Sequence, residues 1–190
     1  DMQQDDALLE DRLYLNDSKG NFTRSHTIPP IRGSKSCIAV GDVNGDGRPD
    51  LFVGGRVVPG RYPDIPRSYI LVNEGKGKFT DQTATIAPFF STFGMVTDAV
   101  WADLDNDKGQ ELIIAGEWMP VQVYKIENGK LVDRTLSFFD KHYKGWWNTL
   151  EIADLNKDGK PDIIAGNIGT NSQFRVSEKE PLEMFYGDID

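Results

Sequence analysis

The sequence holds one cysteine and two histidines in 190 residues. A single thiol, Cys37, excludes an intrachain disulfide framework and leaves the redox compartment unread. It lies beside Ile38 at the start of an apolar run and reads as a small buried group rather than a reactive one. His26 and His142 stand in no H-E-x-x-H spacing and beside no nucleophile motif, so both read as loop or surface residues. No nucleophile elbow and no phosphate-cradling glycine loop occurs. No apolar run approaches the ~20 residues of a membrane-spanning helix. No signal-peptide pattern opens the chain, and a start at Asp1 reads as a mature or trimmed end. Stretches with helical periodicity are scarce.

What the sequence has in quantity is glycine (19), proline (10) and carboxylates, for a formal net charge of −9. The carboxylates are not scattered. Asp42-Val-Asn44-Gly-Asp46-Gly-Arg48-Pro-Asp50 recurs as Asp103-Leu-Asp105-Asn-Asp107-Lys-Gly109-Gln-Glu111 and again as Asp154-Leu-Asn156-Lys-Asp158-Gly-Lys160-Pro-Asp162. Each copy has Asp or Asn at relative positions 1, 3 and 5, a carboxylate at 9, and an aliphatic run after that. Alternate residues of a tight loop turn their oxygens inward. Four side-chain oxygens and the carbonyl at position 7 suit a hard cation such as Ca²⁺, which takes 6–8 oxygen ligands. Without a cation, carboxylates crowded into one turn repel each other. A plainer reading, that Asp, Asn and Gly simply form turns, accounts for one copy but not for three with the same offsets.

The first positions match an EF-hand loop, but an EF-hand needs a bidentate Glu at position 12 and a helix on either side. Position 12 is Val53, Ile114 and Ala165 in the three copies. The flanks are short aliphatic runs bounded by glycine, which read as strands. The ligand positions of the three loops hold ten carboxylates, so three Ca²⁺ ions would bring the net charge from −9 to about −3. Nucleic acid and anionic membranes are therefore poor partners.

A second pattern alternates with the loops. Leu13-Tyr-Leu-Asn16-Asp-Ser-Lys-Gly20-Asn-Phe22 resembles Ile70-Leu-Val-Asn73-Glu-Gly-Lys-Gly77-Lys-Phe79 at a constant offset of 57, and Val123 to Asp133 is a shorter relative. Each reads as a hairpin closed by a glycine turn. The predicted order is hairpin 12–24, loop 37–54, hairpin 69–83, loop 99–116, hairpin 121–135, loop 149–166. Loop-to-loop intervals of 61 and 51 residues fit an all-β fold of β-propeller blades with four strands each. The expected divisions are 1–36 (the hairpin half of a blade), 37–97, 98–147 and 148–190. Propellers close with 4–8 blades, and about three are expected here, an incomplete propeller. Segments 56–67 and 87–96 are expected as loops on a blade face. Residues 184–190 read as the opening of a fourth loop, and 167–181 leave no room for a normal hairpin before it.

These residues carry a resemblance. The triplicated loop, its strands and the following Leu-Phe-Val-Gly-Gly or Ile-Ile-Ala-Gly resemble the FG-GAP/VCBS repeats of integrin α-subunit propellers and of many secreted bacterial proteins. The likeness covers roughly residues 12–190. Residue by residue, it implies one Ca²⁺ at Asp42, Asn44, Asp46 and Asp50 with the Arg48 carbonyl. It implies a second at Asp103, Asp105, Asp107 and Glu111 with the Gly109 carbonyl, and a third at Asp154, Asn156, Asp158 and Asp162 with the Lys160 carbonyl. The second loop departs from the pattern: Lys108 stands where glycine is usual, at a position that requires φ > 0.

The resemblance implies an extracellular or cell-surface module, secreted or outer-membrane associated, whose calcium is structural and whose loops serve adhesion or carbohydrate binding. No catalytic residue is assigned. Two alternatives stay open: the propeller part of a polysaccharide-degrading, lyase-like enzyme using Arg56, Arg61 and Arg67, and a structural spacer. Trp146 and Trp147, adjacent on a strand, point to opposite faces; one packs and the other, near Tyr143 and Asn148, either stacks on a sugar or packs between blades. Trp101 and Trp118 read as core. Open edge strands predict self-association.

Overall fold

The computed structural model describes residues 6–169 and residue 177, and the expected fourth loop at 184–190 lies outside them. Among the described residues the architecture is all-β and antiparallel, and no sheet closes on itself. A hairpin of β1 (Leu13–Asn16) and β2 (Phe22–Ser25) precedes a four-stranded sheet, β3 (Ser34–Gly41), β4 (Asp50–Val57), β5 (Tyr69–Asn73) and β6 (Phe79–Asp81), in sequential order. A second run, β7 (Met95–Ala102), β8 (Glu111–Pro120), β9 (Gln122–Glu127) and β10 (Lys130–Asp133), repeats that order. A last pair, β11 (Lys144–Ala153) and β12 (Asp162–Asn167), joins it where Lys144–Trp146 pair with the end of β8.

All three hairpins expected from the sequence form. The turn between β9 and β10 is Asn128-Gly129, both at positive φ (51° and 73°), as a two-residue turn between right-twisted strands requires. Both four-stranded runs also end alike. Asp81 accepts a hydrogen bond from Thr83 N, and Thr83 Oγ1 accepts one from Ile70 N; Asp133 and Thr135 do the same for Val123 N. Each closure starts a one-turn helix, α1 (Thr83–Ile86) or α2 (Thr135–Phe138).

Side-chain alternation decides how the sheets stack. Counting from the first Asp of each loop, residues 10 and 12 face the preceding unit and residue 11 faces the next. Leu51 and Val53 therefore pack with Leu13, Ile28 and Ile31, while Phe52 joins Leu112 and Ile114 of the second sheet. Ile113 in turn packs toward Leu150, Ile163 and Ala165. Three apolar clusters result, one between each consecutive pair of units. The glycines after the aliphatic run allow this close approach: a Cβ on Gly54 would lie 2.7 Å from Val96 Cγ1 and 2.8 Å from Cys37 Sγ. Cys37 is packed there as expected, and burial pushes its thiol up to about 11.

Two expectations fail. Segment 87–96 is not a face loop: Pro88–Thr92 forms a 3-10 turn whose Phe90 is fully buried between the first two sheets, and Met95 and Val96 already belong to β7. Phe90 meets Phe52, Phe89 and Phe93 with ring centroids 5.1, 4.6 and 4.9 Å apart. The run of Phe89, Phe90 and Phe93 is a core plug, because three aromatics bury more apolar surface than a loop can leave in water. Trp101 is core as expected, but Trp118 is not. It sits half-exposed with φ 60°, donates through Nε1 to Tyr62 Oη (2.8 Å) and lies 5.2 Å from the Trp146 ring. The β8–β11 bulge at Gly145/Trp146 skips Trp118 and takes it out of the alternation that buries Leu112 and Ile114 on the same strand. Trp147 packs into the cluster between the last two units.

Phe90→Ala empties the centre of the plug and is expected to cost about 3–5 kcal/mol, read as a shift in the urea midpoint with little change in slope.

Candidate metal centre

The three acidic loops occupy equivalent places: 42–50 joins β3 to β4, 103–111 joins β7 to β8, and 154–162 joins β11 to β12. One bond closes each. The N–H of position 2 donates to the carboxylate of position 9: Val43 to Asp50 (2.9 Å), Leu104 to Glu111 (2.8 Å) and Leu155 to Asp162 (2.9 Å). Position 9 is also the first residue of the following strand, so the same residue starts the strand and fastens the loop.

The other expected residues form an inner ring of side-chain to backbone bonds. Asp42 Oδ1 accepts from Gly45 N and Asp46 N, and its Oδ2 from Gly47 N. Asn44 accepts from Asp46 N, and Asp46 from Arg48 N (2.9 Å). In the third loop Asp154 takes Asp158 N and Gly159 N, Asn156 takes Asp158 N, and Asp158 takes Lys160 N. In the second, Asp103 takes Lys108 N, Asp105 takes Asp107 N, and Asp107 takes Gly109 N. Positions 4 and 6 are left-handed in all three: Gly45, Asn106 and Lys157 at φ 75°, 61° and 63°, and Gly47, Lys108 and Gly159 at 78°, 74° and 84°. The two left-handed residues, at positions 4 and 6, alternate with positions 3, 5 and 7 and coil the loop tightly, so that the side chains of positions 1, 3 and 5 reach loop N–H groups.

The second loop nonetheless differs. Among the described residues, Asp103, Asp105 and Glu111 are the one group whose acidic ligand atoms all lie within 4.8 Å of one another. Glu111 is fully buried, no N–H of the loop reaches its Oε1, and Asp103 Oδ1 has no hydrogen-bond partner. In the first loop the matching atom, Asp50 Oδ1, accepts from Asn73 N (2.7 Å). Burial raises Asp50 above the ordinary carboxylate range, against the two N–H donors that hold it ionised. An all-oxygen set with an orphaned buried oxygen on Asp103 has the donor chemistry of a hard divalent cation, so the residues present fit a metal ion.

Lys125 escaped the sequence reading. It stands on β9, and its Nζ lies 2.7 Å from Asp105 Oδ2, 2.5 Å from Asp107 Oδ2 and 3.3 Å from Glu111 Oε1. The hydrogen bonds to Asp105 and Asp107 raise the lysine above its ordinary range, and the bond from Lys125 lowers Asp107. No local signal marks it, since it lies fourteen residues past the loop and only strand pairing brings it back. Each arginine of the enzyme alternative is paired with a carboxylate. Arg56 pairs with buried Glu117, Arg61 with Asp64 (2.6 Å) and Arg67 with Asp81 (2.9 Å).

Antiparallel units, two of them four-stranded, stacked face to face with an acidic loop joining the first two strands of each of the last three, define a β-repeat protein. More than half of the chain, residues 4–53 and 103–165, matches the model of the FG-GAP-like repeat, and the protein belongs to that family. These segments contain all three loops. The comparison with curated proteins returns no match.

Lys108 pays the left-handed cost that Gly47 and Gly159 avoid. Lys108→Gly is expected to stabilise the protein by on the order of 1 kcal/mol, raising its melting temperature by roughly 2–4 °C. The same substitution at exposed Lys144 on β11, where no left-handed φ has to be met, is expected not to raise it.

Proposed function

We propose that the chain is a calcium-stabilised, non-catalytic segment of an extracellular β-propeller that presents its loops and strand ends to a protein or glycan. The reading rests on the recurrence of one closing bond, from position-2 N–H to position-9 carboxylate, in three loops that carry Asp, Asn or Glu at the same offsets. The ligands in this reading are positions 1, 3, 5 and 9 of each loop, with the carbonyls of Arg48, Gly109 and Lys160. The units are blades bounded at 1–36, 37–97, 98–147 and 148–190. FG-GAP repeats are typical of extracellular proteins, where calcium is abundant, and no helix of the described residues is long and apolar enough to cross a membrane. Extracellular modules bind calcium with Kd of about 10⁻⁴–10⁻³ M.

A partner surface is sought at the strand ends away from the loops. Trp118, Trp146 and Tyr62 gather there beside the Arg56–Glu117 pair, around a tryptophan held at positive φ, a conformation bulky residues rarely adopt. Half-exposed indoles offer apolar faces to a sugar ring or a partner side chain.

Two apolar strips support self-association. Ile38 and Val40 on β3, 54 % and 57 % exposed, face the side of the preceding unit; Ile164 on β12, 41 % exposed, faces the side of the next. The equivalent residues of the second unit, Ala99, Trp101 and Ile113, are buried against neighbours.

Calorimetric titration of chelator-stripped protein is expected to show calcium binding, and saturation at a hundredfold excess over Kd to stabilise the fold by about 2.7 kcal/mol per site. A melt indifferent to both calcium and chelator would remove the calcium reading. Sedimentation over a concentration series is expected to show association; a monomer at every concentration would count against the open strips.

A further inference from the structure

We propose that Lys125 is a built-in cation of the second loop, competing with calcium for the place among Asp105, Asp107 and Glu111 and holding that loop in shape when calcium is scarce. The inference rests on the calcium reading of the loops given above. Its basis is geometric: one ammonium contacts the carboxylates of positions 3, 5 and 9, at 2.7, 2.5 and 3.3 Å, and these are three of the four side chains that the other loops offer to a metal.

Charge and register both single this loop out. The second loop carries Asp105 where the others carry Asn44 and Asn156, so it has four carboxylates against three. Lys125 offsets the additional charge and leaves the same net balance of ligand charges as at the third loop. Leu112 pairs with Tyr124 as Leu51 pairs with Leu71, so the residue matching Lys125 in the first unit is Val72, which is buried and apolar. Arg48 is the cation nearest the first loop. It reaches only Asp46 (2.5 Å), from the exposed side, with its Nε tied to Asn73 O.

A lysine is a weaker occupant than a divalent ion. Its three N–H groups cannot satisfy a site built for 6–8 oxygens. Asp103 Oδ1 remains without a donor while the ammonium is in place, and that orphaned oxygen favours calcium once calcium is plentiful. The loop therefore has two occupants: the lysine at low calcium and the ion, with Lys125 turned out to solvent, at high calcium. Loops 42–50 and 154–162 have no such stand-in among the described residues and depend on calcium throughout.

The test is Lys125→Met, which keeps the apolar stem and removes the charge. Calcium binding is followed by calorimetry, and melting with chelator and with saturating calcium. The expected result is a site whose affinity rises at least tenfold over that of the weakest site of the unaltered protein. The melting temperature should fall in chelator and be restored by calcium. Adding Asp105→Asn to Lys125→Met should abolish the gained affinity, which assigns it to the second loop. If Lys125→Met folds only in calcium, the proposal is supported in its strongest form. An unchanged weakest affinity together with an unchanged melt in chelator would overturn it and reduce Lys125 to a surface ion pair. No binding at any loop of either protein would sink the calcium reading and this proposal with it. That outcome is recognisable because loops 42–50 and 154–162, which Lys125 does not touch, would be silent as well.

Discussion

A carboxylate at the first residue of a strand organises each repeat, and in the first two repeats it is fully buried. Asp50 and Glu111 have no exposed surface, yet each opens the aliphatic strand that carries the core. Burying a charge is expensive unless it is paired or hydrogen-bonded. The N–H of position 2 provides one bond in every loop, so strand start, loop closure and charge compensation are parts of one arrangement. In the first unit Asn73 N provides a second bond and ties the loop to its own hairpin. In the second unit Lys125 stands in that role, from the neighbouring strand and with a positive charge.

The loop and the packing between sheets are coupled through that residue. Once position 9 is pinned, the period of two along the strand fixes which face carries residues 10, 11 and 12. Phe52, Ile113 and Ile164 are then all directed to the following unit. The first two are buried and the third is exposed. A one-residue slip at any loop would turn its whole strand to the wrong neighbour. Loop rigidity is therefore a condition for the stacking, which gives a physical reason for spending so many carboxylates on a turn.

The hairpin turns and the strand–loop–strand order were legible because they rest on local chemistry: glycine at positive φ, alternation, and acidic residues at fixed offsets. The left-handed requirement at position 6 was legible too, and Lys108 meets it at φ 74°. Position 4 carries the same requirement with Gly45, Asn106 and Lys157, and it was not anticipated because these three residue types share no obvious property. The failures at Phe90 and Trp118 have one origin. Segment 87–96 read as loop because it adds length to the longer loop-to-loop interval, and Trp118 read as core from its hydrophobicity. Which aromatic enters the core was decided by the gap between two sheets and by a bulge where three strands meet.

The sequence by itself determined the loop register, because it depends on spacings shorter than a dozen residues, and the recurrence of that register made the repeat visible. Only the tertiary structure decided which carboxylates converge and what faces them. Asp103, Asp105 and Glu111 approach one another across the loop that β7 and β8 close, and Lys125 stands beside the last two because β9 folds back along β8 and the pairing of Leu112 with Tyr124 sets the lysine over the loop. The charge around a buried carboxylate depends on distances through space, and those are set by the strand ladder rather than by separation along the chain.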